Sequence, residues 1–133
     1  MAERIGLVEV QIYEFRDNED GKTYYWNASE GRRLAEERRA EIVAVYLADV
    51  GMTPAKVLEM CPELDREWAL GLPGTTVLRP VLFVPHKEKH VLIDGWHRMY
   101  KAAVLGLTWV PAHVLTESEA RRIRRADARG RPL

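Results

Sequence analysis

Apolar positions change their spacing several times along the chain, and each change marks an element. Ile5, Leu7, Val8, Val10 and Ile12 mostly alternate with polar residues, the period of a strand, and Asp20-Gly21 then supplies a turn signal. KTYYWN is aromatic and Thr-bearing, so residues 22–26 are expected to return antiparallel as a hairpin. From Asn27 or Ser29, either of which can cap a helix, Leu34, Ile42, Val43, Tyr46, Leu47 and Val50 recur at helical spacing up to Gly51. This predicts one long helix whose first half, GRRLAEERRAE, is a solvated face laced with charge pairs one turn apart. Thr53-Pro54 and Pro62 open two short helices, MTPAKVLEM and PELDREWALG, the second ending at Gly71. LPGTT is a loop and TVLRPVLFV a strand. Residues 85–90 form a polar hairpin turn with His86 and His90 exposed, and VLID is the next strand.

The Asp94-Gly95 pair breaks that strand. A helical pattern follows from near Trp96 to Gly106, and a second strand-like run after it. Thr116 to Glu119 has capping-box spacing and starts a short, fraying helix that carries Arg121, Arg122, Arg124, Arg125, Arg129 and Arg131. The order β-β-α-α-α-β-β-α-β-α predicts an α+β domain. With 133 residues, 47% of them apolar, the chain suits one compact domain, and twenty basic against twenty acidic side chains give no global field for nucleic acid or anionic lipid. The single Cys61 has no internal disulfide partner, and neither an apolar run long enough to span a bilayer nor a signal-type N-terminus is present. A cytoplasmic protein with no membrane contact is expected.

Candidate chemistry gathers at the strand-to-helix junction. His97 and Arg98 fall in the first helical turn and Lys101 lies four residues after His97, on the same face. A helix N-terminus offers free N–H donors and about half a positive charge, and Gly95 would let a ligand's oxygens approach without a Cβ in the way. Cations there are electrostatically misplaced unless an anion is expected, and phosphate fits best: Arg98 as a bidentate clamp, His97 as a hydrogen-bond donor or proton carrier. Asp94 could hold a sugar hydroxyl, a metal ion or the His97 imidazole. The plainer alternative is that Asp94 caps the helix and the two cations are simply exposed.

VLIDGWHRMYKAAVLGLTWVPAHVL resembles the core of the ParB/sulfiredoxin-like superfamily: a strand, a DG-x-H-R or G-E-R-R motif opening a helix, A-x-x-x-G-L, and x-V-P-x-x-V on the next strand. RPVLFV resembles the strand entering that core. The similarity covers residues 76–116 well and LVEVQIYEF loosely. The resemblance implies a small mixed β-sheet packed with helices over residues 1–116, with a helical insertion at about 52–72 and a basic helix or tail at 117–133. It also implies a nucleotide, ATP or CTP, bound with Mg²⁺ at the helix N-terminus. Gly95, Trp96, His97, Arg98 and Lys101 would bind it, Asp94 would serve as base or metal contact, His97 as transition-state donor, and Glu14, with Glu9 behind it, as a further acidic group. The ring of Trp96 would lie against the base or a lid.

Relatives of this kind include CTP-dependent DNA clamps, ATP-dependent repair enzymes for oxidised cysteine, serine kinases and phosphohydrolases. Trp96 stands where the cysteine-repair enzymes need their nucleophile, and Cys61 lies in the helical insertion, so that chemistry is not expected. His97 replaces the glutamate of the clamp motif and favours the kinase-like or phosphohydrolase-like branch. Two competing readings point to DNA or a protein partner, in a plasmid- or phage-related module. Residues 41–60 have a helix-turn-helix outline in which the second helix offers only Lys56 as a cation, and the Arg-rich tail is a second possible contact.

Overall fold

The computed structural model describes residues 10–133; the expected strand residues before Val10, and Glu9 with them, lie outside the described residues. Strand β1 (Ile12–Arg16) pairs antiparallel with β2 (Thr23–Asn27), Tyr13 opposite Trp26 and Arg16 opposite Thr23. Gly21 turns the hairpin at φ +70°. Helix α1 (Ala28–Glu37) is capped by Asn27, whose side chain accepts from Glu30 N–H; Ser29 instead accepts from Gln11 N–H at 2.9 Å.

The long helix expected up to Gly51 does not form. Helix α1 stops at Glu37, Arg39 takes a left-handed φ of +51°, and Val43–Tyr46 becomes strand β3. Within V-A-V-Y, Val43 and Val45 turn to the core while Ala44 and Tyr46 face out. β-branched residues with period two suit a pleated surface, and pairing outweighs the helical spacing. The helix-turn-helix outline over 41–60 therefore lacks its first helix.

Helix α2 (Pro54–Met60) begins at the Thr53 cap, and α3 (Arg66–Gly71) at Asp65, three residues beyond Pro62. Residues Gly74–Leu78 wind a 3-10 turn where the start of a strand was expected. The remaining elements are β4 (Val81–His86), β5 (Lys89–Asp94), α4 (Trp96–Val104), β6 (Trp109–Val114), α5 (Glu117–Ile123) and β7 (Arg124–Arg125). They complete an α+β fold with two small sheets, ordered β1-β2-β7 and β3-β6-β4-β5. Strand β4 runs parallel to β6 and antiparallel to β5, so the chain passes through β5 and α4 before returning beside β4.

The four-stranded sheet is covered on both faces, which explains the nearly continuous apolar runs of β4 and β5. On one face Val81, Phe83, Leu92, Val110 and Ala112 pack with Trp96, Met99 and Tyr100 of α4 and Val57 of α2. On the other, Leu82, Val84, Val91 and Ile93 meet Ala28, Leu34 and Ala35 of α1, Ile123 of α5, and Trp26.

Two expectations about polar residues are corrected. His86 is buried, not an exposed turn residue: Nε2 lies 2.8 Å from Asp17 Oδ2, and Phe15, Tyr24 and Trp26 meet the ring edge-on. Asp17 is fully shielded from solvent, and hydrogen bonds from Lys87 and His86 hold its carboxyl well below the usual carboxylate range. The Arg-rich tail is docked, not fraying. The Thr116 capping box forms, Arg38 pairs with Glu119 through Nε at 2.6 Å and Nη2 at 2.9 Å, and Arg125 donates to Glu30 at 2.8 Å. Arg124 lies over the Tyr24 ring at 4.7 Å while β7 pairs with β2. No helix among the described residues is long and apolar enough to cross a membrane.

Candidate active site at the start of helix α4

Strand β5 ends on Asp94, and Gly95 turns the backbone into α4 at φ +102°. The first intrahelical bond is Met99 N–H to Gly95 O at 2.8 Å, and no side chain of the described residues caps the end. The N–H groups of Trp96, His97 and Arg98 thus precede the helical ladder and stay available. The role expected for Gly95 is corrected: a Cβ there would stand 2.5 Å from Val81 Cγ1 and 3.2 Å from Val81 Cα. The space its hydrogen leaves is filled by the sheet, not opened to a ligand.

This junction forms one wall of a cleft of about 690 Å³. Asp94, Gly95, Trp96, His97 and Arg98 all line it, so the structure brings those five expected residues together. Arg32 Nε donates to Asp94 Oδ2 at 2.5 Å and its Nη2 to Pro80 O at 3.1 Å. Arg98 Nη1 donates to Pro80 O at 2.7 Å and Arg79 O at 3.1 Å, with Nη2 3.7 Å from the same Asp94 oxygen. Two guanidiniums therefore share one carbonyl and one carboxylate oxygen. Burial, and next the neighbouring Arg32 charge, push the Arg98 pKa down. Arg79 also lines the cleft and makes no side-chain hydrogen bond or ion pair among the described residues. Asp94 does not cap α4; its second oxygen, Oδ1, carries no hydrogen bond from the described residues.

His97 is not one of the cations of this site. Its Nε2 accepts from Asp65 N–H at 3.3 Å, its ring meets Trp68 edge-on at 4.8 Å, and burial lowers its pKa. The imidazole is neutral at pH 7, with Nδ1 as the donor. Lys101 is absent from the cleft wall. It is buried, and its ammonium donates to the Leu70 and Leu72 carbonyls at the end of α3, so it fastens the insertion to α4. Glu14 is exposed and lies opposite Tyr25 in the hairpin, while its neighbour Tyr13 takes the cleft-facing position.

The opposite wall comes from β1 and from the loop and helix after α2, through Tyr13, Cys61, Leu64, Trp68 and Leu72. Trp96 is buried with its ring stacked on Tyr13, centroids 6.1 Å apart, so no face is left for a base. Its Nε1 is buried without a hydrogen-bond partner among the described residues. Trp68 is the aromatic that remains accessible, 57% exposed at the rim. Cys61 is buried, and its thiol is pushed up to about 12 by burial and by Glu63.

Arg32 and Arg79 were not anticipated. Arg32 belongs to the segment read as a solvated face, yet Ala28, Gly31 and Ala35 on the same side of α1 are small and buried, and an arginine among them points inward. Arg79 sits in the 3-10 connection, and no spacing rule marks it. Among the described residues no group of three or more His, Cys, Asp or Glu side chains is placed to hold a metal ion. Comparison with family models, with curated proteins and with solved structures finds no match to this chain.

Proposed function

We propose that this cleft binds a nucleoside triphosphate, ATP or CTP, through its phosphates, and that the protein hydrolyses the nucleotide or transfers a phosphate from it. The observation that carries this reading is the convergence of Arg32, Arg79 and Arg98 on an uncapped helix N-terminus beside Asp94, with Glu63 the one other carboxylate lining the cleft among the described residues. Two half-buried guanidiniums, Arg32 and Arg98, and an exposed third, Arg79, outnumber the acids of the cleft and favour an anion, and planar forks favour phosphate. The resemblance of residues 91–115 to the ParB/sulfiredoxin-like core supports the same reading.

In this assignment the N–H groups at the start of α4 and the three guanidiniums take the phosphate oxygens, and His97 donates from Nδ1. Trp68, rather than Trp96, lies beside the base. Asp94 Oδ1 would be the protein oxygen offered to Mg²⁺. The ion would supply charge neutralisation at the transferring phosphoryl group. Contact with nucleic acid through the tail is less favoured, because Arg122, Arg124, Arg125 and Arg131 are engaged within the chain.

Calorimetric titration of ATP, CTP, GTP and ADP with Mg²⁺ into wild type, Arg98→Ala and Arg79→Ala tests the proposal, alongside assays of phosphate release and transfer to serine. Binding of at least one triphosphate, weakened at least tenfold in both variants, is expected. Lack of binding by all four nucleotides sinks the reading, and binding without turnover reduces it to a nucleotide-binding module.

A further inference from the structure

Among the described residues, strand β3 is an open edge of the four-stranded sheet. Its inner side pairs with β6, and Leu47 N–H donates to Thr108 O at 3.0 Å. That parity puts Val43, Val45 and Leu47 in the hydrogen-bonded positions and turns the N–H and C=O groups of Ile42, Ala44 and Tyr46 outward. Among the described residues only the Tyr46 carbonyl finds a partner, the N–H of Asp49 at 3.1 Å.

Exposed edges usually carry a charge, a proline or a bulge that prevents pairing with another chain. Residues Ile42 to Leu47 have none of these. The other edge, β5, carries Lys89 and His90. The sheet face beside β3 is also uncovered, since α1 and α5 pack over β4 and β5. Ile42 is 59% exposed, and the cross-strand pair Tyr46 and Trp109 is 48% and 47% exposed.

We propose that β3 is a self-association edge. Two copies of this chain pair β3 to β3, antiparallel, about a two-fold axis at Ala44, and their sheets join into one. In this register Ala44 exchanges both backbone bonds with Ala44 of the second copy. Ile42 lies against Tyr46, and the apolar faces run on continuously. The charges fit the same axis. Arg39 and Asp49 are equally far from Ala44 in opposite directions, and neither forms an ion pair among the described residues. The two-fold brings each towards its opposite in the other copy, and the zero net charge of the chain opposes nothing.

Position 44 meets itself across this axis, which gives a specific test. Light scattering coupled to size-exclusion chromatography should report a concentration-dependent dimer for the full chain. Ala44→Lys and Ala44→Glu should each be monomeric, because like charges then stand directly opposite. Both should keep the wild-type melting temperature measured at monomeric dilution, because Ala44 is exposed. An equimolar mixture of the two should regain the dimer. Wild type that stays monomeric at millimolar concentration, a dimer that survives in Ala44→Lys, or a mixture that remains monomeric would each overturn the proposal.

Discussion

Replacing Gly95 by alanine separates a folding role for this residue from a ligand-binding one. With φ at +102°, a side chain here is strained whatever the surrounding space. A positive φ costs a residue bearing a Cβ about 1–2 kcal/mol. The new Cβ would also stand 2.5 Å from Val81 Cγ1 and 2.9 Å from Val81 Cβ, inside the apolar core. Overpacking of this kind costs about 1–3 kcal/mol, so the whole loss is about 2–5 kcal/mol, and the melting temperature should fall by roughly 7–18 °C. Gly21→Ala is the control. Gly21 also has a positive φ, +70°, but no heavy atom lies within 4 Å of a Cβ built there, so only the conformational part, about 1–2 kcal/mol, is expected. Urea denaturation of both variants, with Val81→Ala and the Gly95→Ala/Val81→Ala double variant to close a cycle, measures the contact directly. The coupling should be favourable by about 1 kcal/mol. A Gly95→Ala protein within about 0.5 kcal/mol of wild type that has nevertheless lost phosphate binding would refute this reasoning and make Gly95 a ligand-approach residue.

Four further outcomes follow from the same contacts. Asp94→Asn removes the carboxylate that engages Arg32 and Arg98, so binding of inorganic phosphate without Mg²⁺ should tighten by roughly tenfold, about 1.4 kcal/mol; weaker Mg²⁺-free binding on calorimetry would contradict the arrangement. Lys101→Met should destabilise the protein by about 1–3 kcal/mol, the cost of losing the hydrogen bonds from a charged ammonium to the Leu70 and Leu72 carbonyls, while phosphate affinity stays unchanged; lost affinity at unchanged stability would return Lys101 to the site. Cys61, with its thiol pushed up to about 12, should resist a disulfide reagent at pH 8 until urea unfolds the chain, and fast native-state labelling would be inconsistent with its burial. The Asp17 carboxyl titrates lower in the folded state than its ordinary 3.8, so its contribution is complete above about pH 4 and is lost as the pH falls below that value. Asp17→Asn should accordingly lower the urea midpoint at pH 7 and flatten its decline in acid.

The hairpin, the two short helices of the insertion and the strand-helix-strand unit from Val91 to Val114 were legible because each carries a local signal: a turn pair, a proline near the helix start, a change of period. The segment after α1 was not. Ile42, Val43, Tyr46 and Leu47 satisfy helical spacing, while Val43 and Val45 satisfy strand alternation, and the break that decides between them is a non-glycine residue, Arg39, at positive φ. His86 was misread for a related reason, since Asp17 and the aromatic pocket around it come from distant parts of the chain. The candidate site was half legible. Asp94 through Arg98 are contiguous, whereas Arg32 and Arg79 reach the cleft only through the packing of α1 and the 3-10 turn.

The two bonded residue pairs between β2 and β7 set an order of events for folding. Tyr25 pairs with Arg125 and Trp26 with Arg124, so a hairpin made early in synthesis waits for a strand made about a hundred residues later. Until residue 125 has left the ribosome, one side of Trp26 and the cation-accepting face of Tyr24 have no cover. Hydrogen exchange should therefore report β2 and α5 opening as one cooperative unit, and the central strands β4 and β6 as a slower one.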